Sequence, residues 1–141
     1  MPTLKVEFLD EEVKVPILRD TDIIAARQKG KSFAAKLGFS MTDITMIATA
    51  ISELARNILM YAKEGEVIFQ KIQRAEQTGM SMIAIDQGSG ISNIEQALKD
   101  GFSTGQGLGL GLPGTRRLMD EFEIQSEIGK GTVVRVRKWV R

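Results

Sequence analysis

The spacing of apolar residues changes several times along the chain, and each change predicts a new element. LKVEFL at 4–9 and EVKVPIL at 12–18 alternate weakly and predict one or two strands, closed by Arg19-Asp20-Thr21. Residues 22–37 place Ile23, Ile24, Ala26, Phe33, Ala34 and Leu37 at helical spacing, with Thr21 or Asp20 as cap and Gly38 where a left-handed end belongs. Ser40-Met41-Thr42-Asp43 resembles a capping box and opens a longer helix over about 41–62, whose stripe Ile44, Ile47, Ala48, Ile51, Leu54, Ala55, Ile58 faces the core. Residues 67–74 and 80–87 predict two antiparallel strands with a turn near Thr78-Gly79. A short helical pattern at 91–101 follows, then a glycine run, a helix at 113–122, and strands EIQSEI and TVVRVRKWV about the turn Gly129-Lys130-Gly131. This order predicts an α+β fold, a two-layer sandwich of one mixed sheet with helices on one face, in a single domain over 1–141.

Composition narrows the chemistry more than the fold. The 141 residues are 43% hydrophobic and 26% charged with a net charge of +1, so net charge points to no partner. The longest uncharged apolar runs fall short of the roughly 20 residues that span a bilayer, and the charged start lacks a signal-peptide pattern, so a cytoplasmic address and no membrane are expected. Zero cysteines exclude disulfides and thiolate chemistry, and zero histidines exclude a Ser-His-Asp triad, a histidine metal ligand and a phosphohistidine on this chain. The alternating Arg135, Arg137, Lys138 and Arg141 are read as a solvated strand face, so no nucleic acid is expected.

Three polar features ask for one ligand. Glu53 and Asn57 lie four apart on the long helix and share a face with Met46, Ala50 and Met60, an odd set for a face in bulk water. Asp86, in DQGSG at the end of an apolar strand, offers a carboxylate to an exocyclic amine such as adenine N6, and the glycines there would let the base approach the backbone. TGQGLGLGLPG at 104–114 exposes backbone N–H groups and runs into a helix opened by Pro113, an arrangement suited to phosphate. Each feature alone also reads as a polar surface pair, a turn, or a linker. Together, ExxxN, DxGxG 29 residues beyond Asn57 and GxGxG 15 beyond Gly90 supply the groups a magnesium nucleotide needs. Two phosphate motifs fit poorly: GKS at 30–32 sits in a helical pattern, and GLGLPG at 109–114 is not preceded by a strand pattern.

These motifs resemble the N, G1 and G2 boxes of the GHKL superfamily. ISELARNI, DQGSGI, DGFST and GLGLGLPGTRRLMDEF, with DIIAARQKG at 22–30, resemble more closely the RsbT-type serine/threonine switch kinases. The resemblance implies a Bergerat fold, ATP with Mg²⁺, and phosphorylation of a serine or threonine on STAS-domain regulators, both stressosome scaffold and antagonist. On release the kinase would activate a PP2C-type phosphatase in a bacterial stress response; a homodimer is compatible with it. By position, Glu53 is the catalytic base, Asn57 holds magnesium, Asp86, Gly88 and Gly90 bind adenine, and Thr132 reaches it through water. Ser103, Thr104, Gly105, Gly107, Gly109 and Gly111 belong to a lid over the phosphates, and Arg27 is the candidate contact to an acidic partner. Residues 101–111 contain no lysine or arginine, so charge neutralisation falls to magnesium, backbone dipoles, or Arg116 and Arg117. Residues 1–18 are longer than the family leads one to expect. The rival reading is an anti-sigma factor module of the RsbW or SpoIIAB type, which would bind ATP and a sigma factor.

Overall fold

A computed structural model describes residues 5–88 and 111–141. The elements are β1 (Val6–Ile17), α1 (Asp20–Leu37), α2 (Met41–Tyr61), β2 (Gly65–Arg74), β3 (Gln77–Asp86), α3 (Gly111–Leu118), β4 (Glu121–Glu127) and β5 (Gly131–Trp139). The strands form one sheet in the order β1-β2-β3-β5-β4. Helices and sheet make the two layers expected from the hydrophobic pattern.

The sheet is antiparallel at every described pairing, where the sequence predicted a mixed one. The reason lies in the connections. One helix between neighbouring strands returns the chain to its starting end and makes them parallel, whereas the α1–α2 pair between β1 and β2 adds a second pass and reverses the direction. Residues 6–17 are a single strand rather than two, with an irregularity in register between Leu9 and Val13 and Asp10 at φ 64°. The N-terminal stretch thus supplies the edge of the sheet, and its Val15 and Ile17 are fully buried.

Ser40 caps α2 as expected, its hydroxyl accepting the Asp43 N–H at 3.1 Å. At α1 the cap is Arg19 instead of Thr21 or Asp20, because the Asp22 carboxylate folds back to accept the N–H groups of Leu18 and Arg19 at 2.8 and 3.2 Å. Gly38 ends α1 in the left-handed region at φ 95°. Gly30 and Ser32 lie within this helix, which removes the phosphate-loop reading: a Cβ on Gly30 would stand 2.1 Å from Ile51 Cδ1, so its glycine serves close packing of α1 on α2.

Ile47, Ile51, Leu54 and Ile58 of α2 meet Val67 and Phe69 of β2 and Met80 and Met82 of β3 in the core. Burying each such side chain contributes roughly 1.5–3 kcal/mol. The β2–β3 turn is at Ala75-Glu76, with Ala75 at φ 54°, and not at Thr78-Gly79. Gly79 instead lies within β3 under the Trp139 ring, where a Cβ would come 2.6 Å from Cε3. The last helix is Gly111–Leu118 rather than 113–122, and Pro113 falls in its first turn, where a missing N–H is tolerated. Among the described residues no helix is long and apolar enough to cross a membrane.

Candidate functional site

Ala50 and Glu53 are buried and Met46 and Asn57 half-buried, whereas Met60 is 37% exposed, so the polar column of α2 turns from bulk water along its middle but reaches it at its end. Glu53 is held at both oxygens. Oε1 accepts from Arg56 Nη1 at 2.5 Å, and Oε2 accepts the Gly111 N–H at 3.2 Å. The second bond matters for position: it brings the acid of the ExxxN motif to the N-terminal end of the helix that follows the glycine run. That end is the positive pole of the helix, which favours an anion.

One turn beyond Glu53 comes Asn57, and one turn beyond that Tyr61, whose carbonyl faces Gly88. A Cβ on Gly88 would lie 2.2 Å from that oxygen and 2.6 Å from Ala62 Cβ. Gly88 is therefore required by the end of α2, a different reason from the approach of a base to the backbone. The contact brings the Glu53–Asn57 column and the end of β3 to the same side of the fold.

Asp86 ends β3 in the middle of the sheet, paired with Gly65 on β2 and Thr132 on β5. Its residue is 7% exposed, and burial pushes its carboxyl above the ordinary aspartate value while backbone hydrogen bonds from Gly88 and Thr132 pull the other way. The Gly88 N–H donates to Oδ1 at 2.9 Å. A carboxylate fixed by backbone donors in a buried position can still accept from an amine, and would discriminate strongly between ligands with and without one. An open cleft of about 480 Å³ borders Asp86, Gly131 and Thr132, and another of about 740 Å³ borders Tyr61, Ala62 and Gly88.

Two contributors here escaped the sequence reading. Ser126 on β4 lies with its hydroxyl 2.7 Å from the Thr132 hydroxyl, so the threonine is oriented from the neighbouring strand. Gly131, at φ 115°, passes so close to β3 that a Cβ would meet the Asp86 carbonyl oxygen at 2.1 Å. The glycine-turn-glycine pattern carried the signal for the second; nothing in the sequence marked Ser126. Arg27 is exposed on α1 beside Ile24, which is 61% exposed, and its Nη1 reaches Ser52 Oγ at 3.5 Å. Gly90, Ser103, Thr104, Gly105, Gly107 and Gly109, with the predicted helix at 91–101, lie outside the described residues.

The basic edge needs correction. Lys138 is buried on the helix side, 4% exposed, with Nζ donating to the Leu118 carbonyl at 2.7 Å at the end of α3. Arg135, Arg137 and Arg141 pair with Glu123, Glu121 and Asp120.

An α+β sandwich with an acid and amide on one central helix and a buried aspartate at a strand end defines a class. Residues 18–138 match the family described as the histidine kinase-like ATPase domain, and the chain belongs to that family. Within it, the chain is 47% identical to the serine/threonine-protein kinase RsbT of Bacillus subtilis over 94% of its own length and 100% of the relative's. It is 33% identical to the anti-sigma F factor of Caldanaerobacter subterraneus subsp. tengcongensis, covering 82% of this chain and 83% of that one. Among solved structures it resembles the mycobacterial sensor histidine kinase MprB at a TM-score of 0.54 and 16% identity, over 94% of this chain and 99% of the other, a likeness of fold.

Proposed function

We propose that this chain is an ATP-dependent serine/threonine-protein kinase of the RsbT type, acting in a partner-switching pathway on the hydroxyl of a STAS-domain regulator. The Glu53–Gly111 hydrogen bond carries the reading, because it joins a buried carboxylate to the backbone where a phosphate is best received. Asp86 accepts the adenine amine. Asn57 offers its side-chain oxygen to Mg²⁺, and Thr132, oriented by Ser126, lies beside Asp86. Bound magnesium supplies charge neutralisation across the phosphates.

In the transfer step the partner's hydroxyl oxygen bonds to the γ-phosphorus, the bond from that phosphorus to the ADP oxygen breaks, and the hydroxyl proton passes to Glu53. The absence of histidine is consistent with a hydroxyl acceptor on another protein. The exposed Ile24 and Arg27 on α1 suit a partner with an acidic and apolar contact. After transfer, a phosphate at the interface adds charge and bulk and favours release, which frees the kinase for a PP2C-type phosphatase in the cytoplasm.

The relatives named anti-sigma F factor keep a second reading alive, in which the chain holds a sigma factor. Incubation with Mg-ATP and a STAS protein, followed by phosphosite mapping and binding assays against the STAS protein, a PP2C phosphatase and a sigma factor, separates them. Phosphate on a STAS hydroxyl with loss of STAS binding is expected. Tight sigma-factor binding without STAS phosphorylation overturns it.

A further inference from the structure

The pair Glu53–Arg56 differs from an ordinary pair one turn apart on a helix. Such pairs at the surface contribute only a few tenths of a kcal/mol and restrain little. Here the Glu53 side chain is 9% exposed and Arg56 32%, so the acid is buried while the guanidinium bridges it to solvent. The two Glu53 oxygens are used separately: Arg56 takes Oε1, and the Gly111 N–H takes Oε2. A carboxylate on a flexible stem can rotate out of line, and a donor held on one oxygen fixes the direction in which the other points. Arg56 is also the only basic residue in α2.

We propose that Arg56 is a positioning residue for phosphoryl transfer: by holding Oε1 it aims Oε2 at the start of α3, where the incoming hydroxyl must lose its proton. The inference rests on the kinase reading above. The proton passes from the hydroxyl to Oε2, while Arg56 stays on Oε1 and the bond between the γ-phosphorus and ADP breaks. Among the described residues Arg56 bonds to Glu53, so its effect runs through that carboxylate. Arg56 holds the carboxylate through one nitrogen, Nη1, in a charge-assisted bond stronger than a neutral one.

The test uses the whole chain, Mg-ATP and a STAS protein, with kcat, KM for ATP and nucleotide affinity measured together. Arg56→Met is expected to lower kcat on the order of tenfold to a hundredfold, the usual result of misplacing a reacting group, with KM and nucleotide affinity within about twofold of wild type. Arg56→Lys recovers part of the rate, and serves as the test should the methionine variant fail to fold. In a Glu53→Gln background Arg56→Met has no further effect on kcat, which a general structural role would not produce. Unchanged kcat in Arg56→Met, or the same loss with and without Glu53, overturns the assignment. A large rise in KM with kcat preserved overturns it in favour of direct phosphate contact. A wild-type chain that transfers no phosphate overturns the kinase reading and this inference together, whereas an active wild type with an indifferent Arg56 overturns this inference alone.

Discussion

A side chain on Gly131 would collide with the backbone of Asp86, since a Cβ would lie 2.1 Å from the Asp86 carbonyl oxygen and 2.7 Å from Gln87 Cα. The backbone there is also at φ 115°, where residues with a Cβ are strained. Gly131→Ala is therefore expected to destabilise the chain by about 1–3 kcal/mol, measured by urea denaturation, and to weaken nucleotide binding because β3 and β5 must separate at Asp86 and Thr132. Destabilisation without any effect on nucleotide affinity would show that the end of β3 is not part of the site.

Asp86 should make nucleotide affinity depend on pH. The ionised carboxylate is the form that accepts an amine, so a proton on it competes with the ligand. Burial raises the folded-state value, so affinity falls on acidification starting at a higher pH than for an exposed aspartate. For stability the sign is the reverse of a salt-bridged acid: the folded chain holds this proton more tightly than the unfolded one, and the resulting stabilisation is lost as pH rises through the raised value. Asp86→Asn should abolish this component of the pH dependence and weaken ATP binding about ten- to a hundredfold, read by calorimetry from pH 4 to pH 7 (roughly the carboxyl range).

On the sheet face away from the helices, Glu121 accepts from Trp139 Nε1 at 2.6 Å and pairs with Arg74 and Arg137, while the Arg74 guanidinium stacks 4.6 Å over the Trp139 ring. Burial pushes the Glu121 carboxyl up, but the Trp139 and Arg74 hydrogen bonds and the two arginine charges outweigh it and hold it below the ordinary glutamate value. Its stabilisation is present above the unfolded value and is lost as pH falls through the depressed one. Glu121→Gln should flatten the acid limb of a stability–pH curve. An unchanged limb would mean that the network forms without contributing.

Lys138 completes the end of α3 by donating to the Leu118 carbonyl. Lys138→Met keeps most of the apolar stem but loses this bond and the ion pair with Asp43 at 3.9 Å, so a stability loss of about 1–3 kcal/mol is expected from the half-buried partners left behind. Thermal denaturation checks it; a neutral result would show that water replaces the ammonium.

The parts of this fold that were readable in sequence are those where one local force decides. The α2 stripe, the Ser40 cap and the left-handed Gly38 each follow from periodicity or from a backbone requirement within a few residues. What misled the reading was tertiary. Gly79 looks like a turn and is a strand residue, because the Trp139 ring needs its missing side chain. Lys138 looks solvated by its position among arginines, but alternation on β5 puts it on the helix side while Arg135 and Arg137 face the other way. Both helical passes between β1 and β2 were legible, but the order of the strands in the sheet, which decides which directions meet, is not written in the periodicity. Glu53, Asn57 and Asp86 stood out as polar residues in apolar surroundings, whereas Ser126 and Arg56, bonded to Thr132 and Glu53, carry no such contrast.

The pairing of Asp86 with Thr132 has a consequence for how the chain is made. The two residues sit on neighbouring strands, yet α3 and β4 come between them along the chain. The β2–β3 hairpin can close early because its contacts are local, but the central seam of the sheet waits on β5. During synthesis the aspartate therefore stands at an open edge until β5 has emerged, and a chain cut short before β5 lacks the strand on which Thr132 sits.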